Sequence, residues 1–373
     1  MLAVVGLLVL LTGCGRSSDG SATSVPLATV APEVNGAALS TLLDVAVDGR
    51  WRATGDDQFE VWICRVSPDT TNPLYGGLQL RLALTPEAVT EVLAAHVTPY
   101  FEELSHGQYR PVFVPGGVAS LSGAAEPGVC VDHAMAGAGA DTRAVLVVAD
   151  AEHGADQIGG FGSGGVPCAL PPPCPAAEAQ RYVYVGASDF HPDWGDAPPM
   201  DLVQHEIGHT LGWDHSAVGE GRYESALDVM SNPAAPRELQ PDRRDAQGTL
   251  AINLFAAGWL PEADVWMVPP EGGEVVLQPS AAAAGIRLAV LMGGDGALTV
   301  ELLVPEGLND HLPVAGIAVH RVSFEGGLAT LSTPAFGEPP YTDLLQAGDS
   351  LVADGWLVEV GDDFAVTVTP HLG

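Results

Sequence analysis

One run limits what this chain can become more than any other: His205-Glu-Ile-Gly-His-Thr-Leu-Gly-Trp-Asp-His215. His205 and His209 stand four apart, so on a helix both imidazoles leave the same face. Val203, Ile207 and Leu211 share that spacing and form a stripe on roughly the opposite face, suited to a core. Gly212 has no Cβ and suits a left-handed helix end, where the chain can turn and bring in His215. Three neutral imidazoles leave one tetrahedral position of a zinc ion open to water, the layout of a catalytic site. Glu206, beside the first ligand, is placed to take a proton from that water. Two histidines four apart also occur in ordinary helices. Gly212 and His215 add two specified positions and weigh against a purely structural reading.

The spacing H-E-x-x-H-x-x-G-x-x-H resembles the zinc signature of metzincin metallopeptidases. That resemblance implies His205, His209 and His215 as ligands of one catalytic zinc, Glu206 as general base and Gly212 as the turn residue. It also implies a methionine in a tight turn beneath the ligands. Met230 stands in the expected place, 15 residues after His215, although a methionine after an apolar pair is on its own more often core filler. Tyr223-Glu-Ser-Ala-Leu-Asp-Val-Met-Ser231 is similar to the YGDPFDVM phrase of gametolysin-type and immune-inhibitor-A-like secreted bacterial peptidases, matching at Asp228, Val229 and Met230. Tyr100–Tyr109 and Ala256–Leu260 resemble two further stretches of those peptidases. Some metzincins carry a tyrosine two residues after the methionine, where it can ligate zinc. Asn232 stands there instead, so no tyrosine ligand is expected. By the same resemblance, Asn232 and Pro233 would help wall the pocket beyond the scissile bond. The glycine-rich segment holding Gly160, Phe161 and Gly162 lies where metzincins place an edge strand that aligns extended substrate; a flexible surface loop is the plainer alternative.

Formal charge is −33, and all 14 basic residues are arginine. A phosphate backbone or an anionic lipid surface would be repelled, so nucleic acid and direct membrane adsorption are not expected as partners. Met1–Leu11 is largely apolar and leads into Leu11-Thr-Gly-Cys14, similar to a bacterial lipobox, although no Lys or Arg precedes it. The expectation is a lipoprotein-type signal over 1–14, a lipid anchor on Cys14 and export; a plain secretory signal is the alternative. Residues 15–54 read as a Ser-, Ala- and Pro-containing tether or a short pro-region. In an exported chain the other cysteines suggest two disulfides, with Cys64–Cys130 and Cys168–Cys174 favoured because a short proline-rich segment separates the last pair.

The expected fold is an α+β metzincin-like catalytic domain over 55–263, a mixed twisted sheet carrying the zinc helix, followed by an all-β sandwich over 264–373. Phe59–Cys64, Leu78–Leu84, Pro111–Val114, Ala144–Ala149 and Tyr182–Gly186 read as strands. Thr85-Pro86 opens a helix to about Leu104, Asp132–Ala138 reads as a second, and Pro241–Ala256 as a closing helix. From Asp264 onward, seven short runs parted by Gly, Pro and Asp read as sandwich strands. Asp189, Asp193 and Asp196 could hold calcium, but solvated acids are the simpler reading. The chain as a whole reads as a monomeric zinc endopeptidase acting on protein or peptide. The alternatives are a surface glycan- or wall-binding lipoprotein with a vestigial metzincin unit, and a hydrolase of a non-peptide amide.

Overall fold

Alternation along β1 (Gly55–Arg65) sends Phe59, Val61 and Ile63 into one core and Trp62 and Cys64 into another. The computed structural model describes residues 53–67, 81–122, 127–151, 159–165, 175–218, 221–293, 296–323, 328–331 and 341–371. Helix α1 (Pro86–Leu104) starts where its cap signals place it: Ala88 N–H donates to Thr85 Oγ1 at 3.2 Å, and Pro86 opens the first turn. Next come β2 (Tyr109–Ser120), α2 (Pro127–Gly137), β3 (Ala144–Ala149), β4 (Gly160–Ser163), α3 (Ala176–Ala179) and β5 (Tyr182–Val185). Five strands join in the order β2-β1-β3-β5-β4. All neighbours are parallel except β4, which runs antiparallel to β5 at the edge. Central β3 is buried at every position, as a strand covered on both faces must be.

One face of this sheet packs on α1 and on α4 (Asp201–Thr210), the helix of the histidine run. The other face packs on α2, and a disulfide between Cys64 and Cys130 ties that helix to β1. Cys168, Cys174 and Cys14 lie outside the described residues. The hairpin β6 (Ala217–Val218) and β7 (Gly221–Arg222), then α5 (Ala235–Leu239) and α6 (Ala251–Ala257), complete this part.

After Asp264 the structure is β-rich. It comprises β8 (Val265–Met267), β9 (Gly273–Val276), β10 (Leu288–Met292), β11 (Gly296–Leu303), β12 (Gly316–Ser323), β13 (Leu328–Leu331), β14 (Ser350–Ala353), β15 (Trp356–Val360) and β16 (Ala365–Pro370). A four-stranded sheet, β14-β15-β16-β9, packs its Val358, Val360, Val366 and Val368 against Leu291, Leu298, Val300 and Val319 of a seven-stranded sheet. That larger sheet runs β7-β6-β13-β12-β11-β10-β8, so it recruits the hairpin that follows the histidines. Its far face is also covered. Leu288, Val290, Ala297 and Val322 share one core with Leu254 and Phe255 of α6 and with Val203 and Ile207 of α4. The described residues accordingly fall within one compact unit.

Two expected elements differ. Of the alternating run Leu78–Leu84, residues 78–80 lie outside the described residues, and the rest forms only an isolated bridge, Arg81 with Ala151. Arg81 there donates to the buried Asp150 at 2.6 Å and to Val66 O, so side-chain anchoring replaces a ladder. The closing helix covers only Ala251–Ala257, not Pro241–Ala256. Residues 241–250 stay irregular because their polar groups are taken up elsewhere: Ala246 N–H by Gln204 Oε1, Gly248 N–H by Asn309 Oδ1 and Arg243 by Leu308 O.

Candidate metal centre

The histidine run folds as its spacing requires. Helix α4 buries Val203 and Ile207, with Leu211 just past its end. His205 and His209 project together, their ring centroids 4.8 Å apart. Gly212 takes φ +81°, the left-handed turn expected of it, and the chain swings back to put His215 at 4.6 Å from His209 and 5.2 Å from His205. One ligand atom from each of the three histidines lies within 4.8 Å of the others, and this is the only such group of three or more found among the described residues.

Each tautomer is set from outside. His205 Nδ1 donates to Val229 O at 2.7 Å, and His209 Nδ1 donates to Trp213 O at 2.7 Å. With the proton held at Nδ1, each Nε2 turns its lone pair inward, the state a metal ligand needs. Burial holds His205 down at about 3 and keeps His209 below the usual histidine range, so both rings stay neutral. Glu206 sits beside them, raised by burial to about 8, and its Oε2 has no hydrogen-bond partner among the described residues. A buried orphan oxygen beside three inward-facing nitrogens fits a hydrated divalent cation, and three imidazoles suit zinc.

The turn holding Met230 supports the histidines through backbone contacts. Val229 supplies the carbonyl for His205, and Ser216 N–H donates to Met230 O at 3.1 Å, joining this turn to the residue after His215. Asp228 is fully buried and accepts from Ser216 Oγ, Thr249 Oγ1 and Met230 N–H, pinning the turn to its neighbours. A Cβ on Gly208 would lie 2.4 Å from Met230 Sδ, so the glycine between the two helix histidines admits the methionine. Arg181 closes the C-terminal end of α4. It donates to Thr210 O and pairs in bidentate fashion with Asp57, which also accepts from Tyr109 Oη. At the N-terminal end Asp201 accepts from Arg237.

Edge strand β4 lies directly on α4. Gly160, Gly162 and Gly164 all face it, and added Cβ atoms would meet Glu206 Oε1 at 3.0 Å, Glu206 O at 2.3 Å and His209 O at 3.0 Å. The glycine-rich composition thus reflects close backbone approach. Phe161 points to the other face of the sheet, where its ring stacks on Tyr184 at 5.0 Å; only its backbone faces the edge. Asn232 does not reach the histidines by any contact seen here; its Oδ1 accepts from Ala234 N–H ahead of α5. Pro233 follows in the same turn.

Sequence reasoning passed over one residue at the centre. Tyr223 Oη lies 2.9 Å from His215 Nε2, and its ring is 4.8 Å from that of His215 and 6.0 Å from that of His205. Its only signal was position, an aromatic between the last histidine and the methionine. The roles of Gly208, Arg181 and Asp57 were likewise unread.

No family model matches the chain, and no curated protein matches it by sequence. Among solved structures it is similar to metalloproteinase-II from Bacteroides fragilis, at 14% identity and a TM-score of 0.32. The overlap covers 59% of this chain and 60% of that one. The chain therefore spans about three fifths of that protein's length. Similarity at that level leaves function to be read from the residues themselves.

Proposed function

We propose that this protein is an exported zinc endopeptidase of metzincin type. The observation that carries the reading is the convergence of His205, His209 and His215 beside the buried, unpartnered Oε2 of Glu206. A zinc ion held by the three imidazoles would supply Lewis acidity and make a water acidic enough to attack at neutral pH. With the cation's charge favouring the ionised form against the burial that raises it, Glu206 would take the proton of that water and hand it to the departing amine. The carbonyls of Val229 and Trp213 keep the ligand rings oriented throughout. Among the described residues no strand pairs with the outer side of β4, beside Glu206, and an extended peptide adding there would gain backbone hydrogen bonds in line with the site. Export fits the Cys64–Cys130 disulfide, and anchoring through Cys14 belongs to the same proposal.

The test is cleavage of unfolded casein by the purified chain, with and without a zinc chelator, alongside Glu206→Gln. The variant is expected to keep its metal, because Glu206 is not a ligand, and to lose at least about 100-fold in rate. Wild-type protein that carries zinc yet cleaves neither casein nor a peptide panel would shift the assignment to a binding protein. Undiminished cleavage by Glu206→Gln would remove the general base.

A further inference from the structure

Tyr223 combines three features that do not arise together by ordinary packing. Its backbone adopts φ +62°, a left-handed conformation that costs an aromatic residue free energy. Its ring is half exposed, so burial does not offset that cost. Its hydroxyl nonetheless reaches the inward nitrogen of a candidate metal ligand at 2.9 Å.

Hydrogen bonding among Tyr223 Oη, His209 Nε2 and His215 Nε2 alone cannot satisfy both contacts of His215 Nε2. His215 Nε2 has two close polar neighbours, Tyr223 Oη at 2.9 Å and His209 Nε2 at 3.1 Å. A ring nitrogen carries either one proton or one lone pair and can satisfy one of them. His209 Nε2 has only a lone pair to offer, since Nδ1 holds the proton for Trp213 O. A cation bound here would take a lone pair from each of these atoms, and the three histidine nitrogens lie within 4.8 Å of one another. Ligands on one zinc with bonds of about 2.05 Å stand roughly 3 Å apart. The contacts at 2.9 and 3.1 Å are close to that spacing.

The placement is also built from outside the helix. Tyr223 follows the hairpin β6–β7, whose Val218 pairs with Leu331 of β13. Just beyond it, Tyr341 N–H donates to Glu224 O and Ala226 N–H donates to Tyr341 O, both at 2.8 Å. The β-rich layer thereby holds both sides of Tyr223.

We propose that Tyr223 contributes its phenol oxygen as a fourth protein ligand to the metal ion held by His205, His209 and His215, beside the water that the proposed reaction uses, its proton passing to solvent as the bond forms. This rests on the metal-site reading given above. It departs from the expectation that Asn232, at the position where a tyrosine ligand would fall, leaves the site without one.

The test loads the full chain with copper(II) and measures stoichiometry and the visible spectrum for wild type, Tyr223→Phe and His209→Ala. Wild type should bind one copper per chain and show a phenolate-to-copper charge-transfer band. Tyr223→Phe, altered at an exposed ring, should still bind one copper but lose the band, and its zinc dissociation constant should rise roughly 10-fold or more. Copper binding without the band in wild type, or a band that survives in Tyr223→Phe, overturns the ligand role while leaving the metal site intact. No copper uptake by wild type, or undiminished uptake by His209→Ala, overturns the metal site and this proposal with it.

Discussion

Residues as small as glycine decide how close the site's parts can come. Gly162 lets β4 lie on α4, and a Cβ there would sit 2.3 Å from Glu206 O and 2.9 Å from His209 Cβ. Neither obstacle is the end of a flexible side chain, so backbone must move. Gly162→Ala is expected to cost about 1–3 kcal/mol and to weaken metal binding through the displaced His209. Denaturant unfolding of the metal-free protein, paired with zinc titration, checks both effects. Unchanged values in the two assays would show that β4 can lift off without consequence. At the same scale, the histidine rings owe their neutrality to burial and their orientation to two backbone carbonyls.

Helix α4 is short and has no side-chain cap at its N-terminus, so neighbouring elements hold it. Arg237 and Arg244 reach its start, the first through Asp201 and the second through its carbonyl to Met200 N–H. Arg181 and Asp57 hold its end, both largely out of solvent. The pair links β1 and β5 to the last turn before Leu211. Its main stability value lies in not being broken, because a lone buried guanidinium is poorly solvated. Asp57→Ala is therefore expected to destabilise the fold by about 3–5 kcal/mol, measured by urea unfolding. A loss under 1 kcal/mol would mean that water or another acid takes over Arg181.

Across the whole molecule, the seven-stranded sheet is a middle layer with a core on each side. All of β11 is buried, including Glu301, whose carboxylate accepts from Ala251 N–H at 3.1 Å and so caps an α6 that has no side-chain cap of its own. Burial raises Glu301 to about 8 from an unfolded value of 4.5. The folded state then holds a proton that the unfolded state has lost. The contribution is fully present below pH 4.5 and declines as pH rises through about 8. Glu301→Gln should flatten that slope: the difference in Tm between wild type and variant should move in the variant's favour from pH 5 to pH 8. A difference that stays constant over that range would show that the carboxyl is already ionised in the fold. The shared core carries a second expectation. A chain truncated after Ala263 would expose Leu254 and Phe255 of α6, and should fail to fold cooperatively, whereas the full chain should melt in a single transition. A soluble truncated protein with a sharp calorimetric transition would show that the part up to Ala263 is self-sufficient.

The local arrangement of the site was legible in the sequence because spacing on a helix is a local property. His205, His209, the core stripe of Val203 and Ile207, and the left-handed Gly212 follow from a 3.6-residue repeat and the lack of a Cβ. Strands with clear alternation, such as Phe59–Cys64, and the Thr85-Pro86 helix start were legible for the same reason. Of the alternating run Leu78–Leu84, the described part forms a bridge only at Arg81, whose side chain reaches the buried Asp150, a contact that alternation does not encode. The Pro241–Ala256 run shortened to Ala251–Ala257, since tertiary hydrogen bonds took up the backbone that a longer helix would have used. Only the tertiary structure decided that Glu301 caps α6, that Phe161 turns from the site and that Tyr223 turns toward it. These are contacts between residues 50, 23 and 8 positions apart, respectively. The longer ones come from the packing of layers, and the shortest depends on a hairpin held by a strand that lies more than a hundred residues further along the chain. No periodicity within a segment encodes such placements, because their energy lies in surfaces that meet only once the sheets have formed.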